Sequence, residues 1–191
     1  MKNSKKLLKE LITLSEKILN EKVFFNNLHK ASKAIVNCLK CGGVVFACGN
    51  GGSFTTAEHL TEELMGRYRS NRRALPAICL GANTPALTCI ANDFSFDNIF
   101  EREVSALMKK GDVLCVFSTT GNSPNILRAV MTAKEKEVIT IGILGKDGGK
   151  AKDTCDISII VPHSDSARIQ EIHTFILHII CEYVEKAFGD E

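Results

Sequence analysis

Residues 44–53 read VVFACGNGGS, and residues 113–123 read VLCVFSTTGNS. Each begins as a short β-branched or apolar run and turns at once into a loop rich in glycine or hydroxyls. Each then leads into a stretch of helical character. The same rhythm holds on either side. Further strand-like runs are AICL (77–80), VITIGIL (138–144) and ISIIV (157–161), and helical stretches lie near 53–68, 96–109, 123–136 and 166–187. Near-continuous apolar strands alternating with helices predict a parallel sheet covered on both faces. The expected fold is α/β, a doubly wound five-stranded parallel sheet flanked by helices. Ligands of such folds sit beyond the carboxyl ends of the strands, so the two quoted loops come first.

Before the first strand, Leu7, Leu11, Leu14 and Ile18 recur at helical spacing, and Leu28, Ala31, Ile35 and Leu39 mark a second helix ended by Gly42 and Gly43. The expected organisation is an N-terminal helical extension over 1–42, outside the sheet but part of the same domain, followed by the α/β domain over 43–191. The apolar stripe of the extension suits either that domain or another subunit.

The 191 residues are 45% hydrophobic and 24% charged, with a net charge of +2. This balance gives no reason to expect a nucleic-acid or membrane partner. The amphipathic start MKNSKKLLKELITLSEK is not a secretory signal, so the expected location is cytoplasmic. Cys48, Cys79 and Cys115 fall in or beside strand-like runs and read as reduced core thiols. The lone pair Cys38 and Cys41 reads as a helix end rather than a metal or redox motif.

In the first loop, Gly49, Gly51 and Gly52 would let backbone N–H groups approach an anion, and Ser53 is a candidate N-cap that could also donate to a phosphate or sugar oxygen. In the second, Ser123 and Pro124 are explained as an N-cap and first helical residue. Ser118, Thr119 and Thr120 are not so explained. Hydroxyls beside a helix start, with no lysine, suit a phosphate monoester rather than a nucleoside triphosphate.

Two helices carry the remaining chemistry. His59 and Glu63 are four apart and share a face. They could bind a divalent metal, do acid–base work, or be a solvated surface pair. Glu58 and Glu62 read as solvated. In the last helix, Ile169, Ile172, Phe175, Ile176, Ile179 and Tyr183 form a broad apolar face enclosing Gln170, His173 and His178. Both histidines read, on position alone, as hydrogen-bonded core residues. Arg67, Arg69, Arg72 and Arg73 follow the first helix and suit its C-terminal dipole, with Arg67 best placed to support an interface or the site.

Taken together, GNGGS (49–53), EHLTEELMGRYR (58–69), ANDFSFDNIF (91–100), STTGNS (118–123), GKDGGK (145–150) and VPHSDSARIQEIH (161–173) resemble the phosphoheptose isomerases, a branch of the sugar isomerase (SIS) domain family. The resemblance implies isomerisation of sedoheptulose 7-phosphate to D-glycero-D-manno-heptose 7-phosphate, for lipopolysaccharide or capsule. It also implies a homotetramer with sites between subunits, and zinc, with no nucleotide cofactor. By matching, the metal ligands are His59, Glu63, Gln170 and His178, and the acid–base pair is Glu63 and His178. Substrate contacts fall on Asn50, Gly51, Gly52, Ser53, Glu63, Asn92, Asp93, Ser118, Thr119, Thr120, Ser123 and Gln170. Thr56 and Asn83 stand where relatives often carry Asp, which leaves isomerisation of another sugar phosphate open. A non-enzymatic SIS protein that binds a replication initiator would not need the complete ligand set. Gln170 and His178 are eight positions apart, a rise of about 12 Å on one helix. A site using both is therefore expected to be composite between subunits, unless Gln170 precedes the regular helix.

Overall fold

The computed structural model describes residues 2–189. The elements, in chain order, are α1 (Lys2–Leu19), α2 (Lys22–Lys40), β1 (Val45–Gly49), α3 (Gly52–Met65), β2 (Ala77–Cys79), α4 (Thr84–Asp93), α5 (Ile99–Leu107), β3 (Val113–Ser118), α6 (Pro124–Glu135), β4 (Ile139–Gly145), α7 (Ala151–Thr154), β5 (Ile157–Val161) and α8 (Ser166–Phe188). The five strands are parallel, in the order β2-β1-β3-β4-β5.

Alternation along each strand feeds two cores. Val45, Ala47, Val113, Cys115, Phe117, Ile141 and Ile143 face one side. Phe46, Cys48, Leu114, Val116 and Leu144 face the other. The first side is covered by α2, α3 and α8 through Leu28, Ile35, Leu60, Leu64, Ile176 and Ile180. The second is covered by α5 and α6 through Phe100, Val104, Ile126 and Val130. Side chains of this kind each contribute roughly 1.5–3 kcal/mol when fully buried, which is why the helices are held to the sheet despite modest intrinsic propensities.

The chain leaves β1 toward β2 on one side and reaches β3 on the other, so β1 and β3 flank the point where strand order reverses. Their carboxyl ends lie level, with Gly49 paired to Phe117. The crevice of a doubly wound sheet opens at that point, and both loops singled out in the sequence sit there.

Helix α1 divides its apolar residues. Leu14 and Ile18 are buried in the same core as Val45, whereas Leu8, Ile12 and Leu19 are exposed. Ile12 and Leu19 border a groove of about 560 Å³, together with Phe25 and Phe175. The last helix shows the same division: Ile169, Ile172 and Ile176 are buried, but Phe175 and Tyr183 face outward. Helix α4, like the one-turn α7, lies outside the expected helical stretches. Its TPALTCIAND sequence carries a single buried residue, Ile90, so it has little apolar periodicity to read. Asn83 is its N-cap, accepting the Ala86 N–H. All eight cysteines are free, and Cys48, Cys79 and Cys115 are buried. Burial pushes the Cys79 thiol up to about 12.

Candidate active site

The first loop turns at Gly51, whose φ of +54° is a conformation that L side chains rarely adopt. Helix α3 therefore starts from glycine, with Gly51 as the N-cap. This corrects the assignment of Ser53, which lies inside the first turn and is buried. Gly52 is a close-approach position. A Cβ there would lie 2.7 Å from both polar atoms of the Gln170 amide. Glycine thus lets the α8 side chain lie across the start of α3.

The second loop is braced from behind. Gly121 donates to Ser118 Oγ at 3.0 Å, and Asn122 donates to Thr120 Oγ1 at 3.2 Å. Both hydroxyls keep their own O–H for a ligand. The GKDGGK turn after β4 presses on the loop so closely that a Cβ on Gly121 would meet the Gly148 carbonyl at 1.9 Å. Lys150 and Ala151 donate back to Asn122 Oδ1 and the Gly121 carbonyl. Ser123 is the N-cap residue of α6 and Pro124 opens the helix, as expected, but the Ser123 hydroxyl makes no capping bond.

Helices α3 and α8 lie side by side and advance in the same direction. Gly52 meets Gln170, His59 meets His178, and Ser70 meets Glu185. His59 Nε2 is 3.1 Å from Glu63 Oε1. The His59 and His178 rings are 5.1 Å apart, edge to face. One ligand atom from each of His59, Glu63 and His178 falls within 4.8 Å of the others. The three side chains are partly buried, which is a nitrogen and oxygen donor set of the kind zinc takes.

His178 is thus no core residue. It leaves the apolar face of α8 toward α3, with the Tyr68 ring 5.8 Å away. His173 is the core histidine. It is fully buried, but its ring nitrogens have no hydrogen-bond partner, against expectation. Burial holds its pKa down to about 4, with the Leu144 backbone pulling the other way without reaching hydrogen-bond geometry.

Gln170 is the fifth residue of α8, inside the regular helix. Its amide stands at the loop end of the site, about 12 Å of helix rise from His178. Asn92 and Asp93 lie at the exposed end of α4, where Asp93 accepts from Asn92 and Cys89. These bonds hold the Asp93 carboxyl below its ordinary value. Neither residue is drawn into the two loops by these bonds. Thr56 is buried and donates to the Gly52 carbonyl at 3.1 Å.

A profile of the SIS domain matches residues 8–145. The chain is 46% identical over 185 residues to a phosphoheptose isomerase of Clostridium acetobutylicum, covering 96% of this chain and 94% of the relative. It is 48% identical over 158 residues to one from Aliarcobacter butzleri, covering 83% and 84%. The chain belongs to the phosphoheptose isomerase family of SIS-domain proteins. Among solved structures, a phosphoheptose isomerase from Francisella tularensis superposes with a TM-score of 0.92 at 34% identity, covering 97% of each chain. One from Neisseria gonorrhoeae gives 0.89 at 36% identity, covering 96% of this chain and 98% of the other.

Arg72, not Arg67, supports the site helix. Its guanidinium donates to the Glu63 and Leu64 carbonyls at 2.7 and 2.9 Å and lies 3.5 Å from Glu185. Arg67 is exposed. Arg69 pairs with Glu182 at 2.7 Å, and Ser70 hydrogen-bonds Glu185, so the segment after α3 is clamped to α8. Tyr68 and Asn125 also border the site. Tyr68 belongs to the matched EHLTEELMGRYR stretch. Asn125 had one available signal: a polar residue where the apolar face of α6 begins.

Proposed function

We propose that this chain isomerises sedoheptulose 7-phosphate to D-glycero-D-manno-heptose 7-phosphate, supplying heptose for lipopolysaccharide or capsule. The single observation that carries this reading is the meeting of Glu63 and His59 with His178 between α8 and α3, the helix that leaves the first phosphate-suited loop. The reaction removes a proton from C1 of the ketose, forms a cis-enediol, and returns a proton to C2, while the hydroxyl proton moves from O1 to O2. One group must exchange the carbon proton and another must serve the oxygens. Glu63 and His178 divide these two jobs. The phosphate is held by the O–H groups of Ser118, Thr119, Thr120 and Ser123 and by N–H groups at the start of α6. Asn50, Gly51, Gly52 and Ser53 line the facing loop, and Gln170 reaches the sugar over Gly52.

The metal reading rests on the chemistry of the donors. His59, Glu63 and His178 would hold a zinc ion, which when bound polarises the substrate carbonyl. Gln170 joins them as a fourth ligand only by swinging along α8 or from a neighbouring copy, which favours a composite site. The same argument assigns Asn92 and Asp93 to a site shared with another subunit. The exposed apolar residues Leu8, Ile12, Leu19, Phe25 and Phe175 suit burial in a homotetramer. No helix among the described residues is long and apolar enough to cross a membrane, and we place the enzyme in the cytoplasm.

The test is to incubate purified protein with sedoheptulose 7-phosphate, with and without zinc, and follow products by NMR. Appearance of the aldose supports the proposal. No conversion by zinc-loaded, folded protein overturns it.

A further inference from the structure

Asn125 is 1% exposed, in the first turn of α6. Its side chain crosses the crevice at the strand-order reversal to the loop after β1. Asn50 Nδ2 donates to Asn125 Oδ1 at 3.0 Å, and Asn125 Nδ2 donates to Asn50 Oδ1 at 2.9 Å. Asn125 Oδ1 also accepts the Ile126 N–H at 3.0 Å. That third bond fixes the direction of the pair. The Ile126 N–H also donates to the Ser123 carbonyl at 3.1 Å, but turning the Asn125 amide over would set its Nδ2 donor against that N–H, so Oδ1 keeps this side and reciprocal pairing then fixes Asn50. Asn50 is left with one amide N–H and one oxygen lone pair for a ligand.

We infer that Asn125 is a positioning residue: it ties the β1 loop to the start of α6 and dictates how Asn50 presents its free amide N–H to the sugar phosphate. The inference rests on the isomerase reading of the site. An apolar pair could fill the same space, but it would not set the direction of a donor. The reciprocal bonds join the loop after β1 to the first turn of α6, so loss of one amide is felt on the other side.

The experiment uses zinc-loaded enzyme with Asn125→Ala, Asn125→Asp, Asn50→Ala and the double alanine variant. Asn125→Ala is expected to raise KM for sedoheptulose 7-phosphate by about tenfold, the loss of one buried hydrogen-bonded contact. Its kcat should stay within about threefold of the parent, because the proton-transfer groups are untouched. Asn125→Asp sets a carboxylate oxygen against Asn50 Oδ1 and buries a charge, so its KM should rise at least as much as that of Asn125→Ala. The double variant should be no worse than Asn50→Ala, since the two residues act as one unit. Amide hydrogen exchange should rise across residues 49–54, in the loop opposite the substitution.

An unchanged KM with only a lowered Tm, or penalties that add in the double variant, overturns the inference. Absence of turnover in the parent protein strikes the functional reading instead, and exchange over 49–54 still decides whether the link exists. Should Asn125→Ala fail to fold, Asn50→Ala tests the pair from the other side. Exchange over 123–127 should then rise, and no change there overturns the inference.

Discussion

Helix α8 presents two histidines five residues apart to two different environments. His173 points into the core between the helix and the sheet, near Phe117, with a fully buried ring and unpartnered nitrogens. His178 points along the other side to α3, where His59 and Glu63 wait at ligand distance. The residue type and the helix are shared. What differs is the neighbour, and the neighbour decides whether an imidazole is enclosed in the core or meets other ligand-type side chains. The contrast warns against assigning chemistry to a histidine from its place in an apolar pattern.

The sharpest way to break the contrast is to remove the groups proposed to exchange protons. Glu63→Gln and His178→Gln should each lower turnover by about 10²–10⁴-fold, the usual share of a positioned acid or base. Circular dichroism should show both proteins folded. His173→Leu should leave turnover near that of the parent. Equal losses in His173→Leu and His178→Gln would erase the distinction.

Acid stability separates the pair the other way. His173 has a folded pKa of about 4 against 6.5 for the free side chain. Between those values the unfolded chain binds the proton first. The stability attached to neutral His173 is therefore complete above pH 6.5 and drains away as pH falls toward 4, by about 3 kcal/mol in all. Urea titrations from pH 7 to pH 4 should show this loss in the parent and a flatter profile in His173→Leu. An unchanged slope would show that other groups set the acid limit.

Zinc sharpens the comparison further. At a hundredfold excess over its Kd, the ion should stabilise the parent by about 2.7 kcal/mol. That gain should vanish in His178→Gln and persist in His173→Leu, as read by Tm with added zinc or with a chelator. The smallest effect concerns Thr56, whose hydroxyl satisfies only the Gly52 carbonyl. Thr56→Val should cost about 1 kcal/mol and spare turnover.

Much of the fold was legible in the residue pattern because buried parallel strands are nearly continuous apolar runs. VLCVFS and ISIIV coincide with β3 and β5 to the residue. Helix α4 was not legible, since it buries only Ile90. Ser53 was misread because a serine after glycines looks like a cap, whereas the φ of Gly51 moves the helix start upstream. Arg72 was overshadowed by Arg67, because only folding shows which guanidinium turns back on the carbonyls of α3.

Local patterning by itself determined the strands, the helix alternation and the two loops that must lie at the sheet's carboxyl edge, since period and turn chemistry are encoded within a few residues. The family resemblance implied Glu63 and His178 as a pair, whereas position alone put His178 in the core. Only the tertiary structure decided which histidine of α8 meets α3, that Gln170 stands over Gly52, and that Asn125 grips Asn50. Those outcomes depend on the lateral register of two helices and two loops distant in sequence. That register is set by how side chains interlock across the sheet, a relation no single stretch of chain contains.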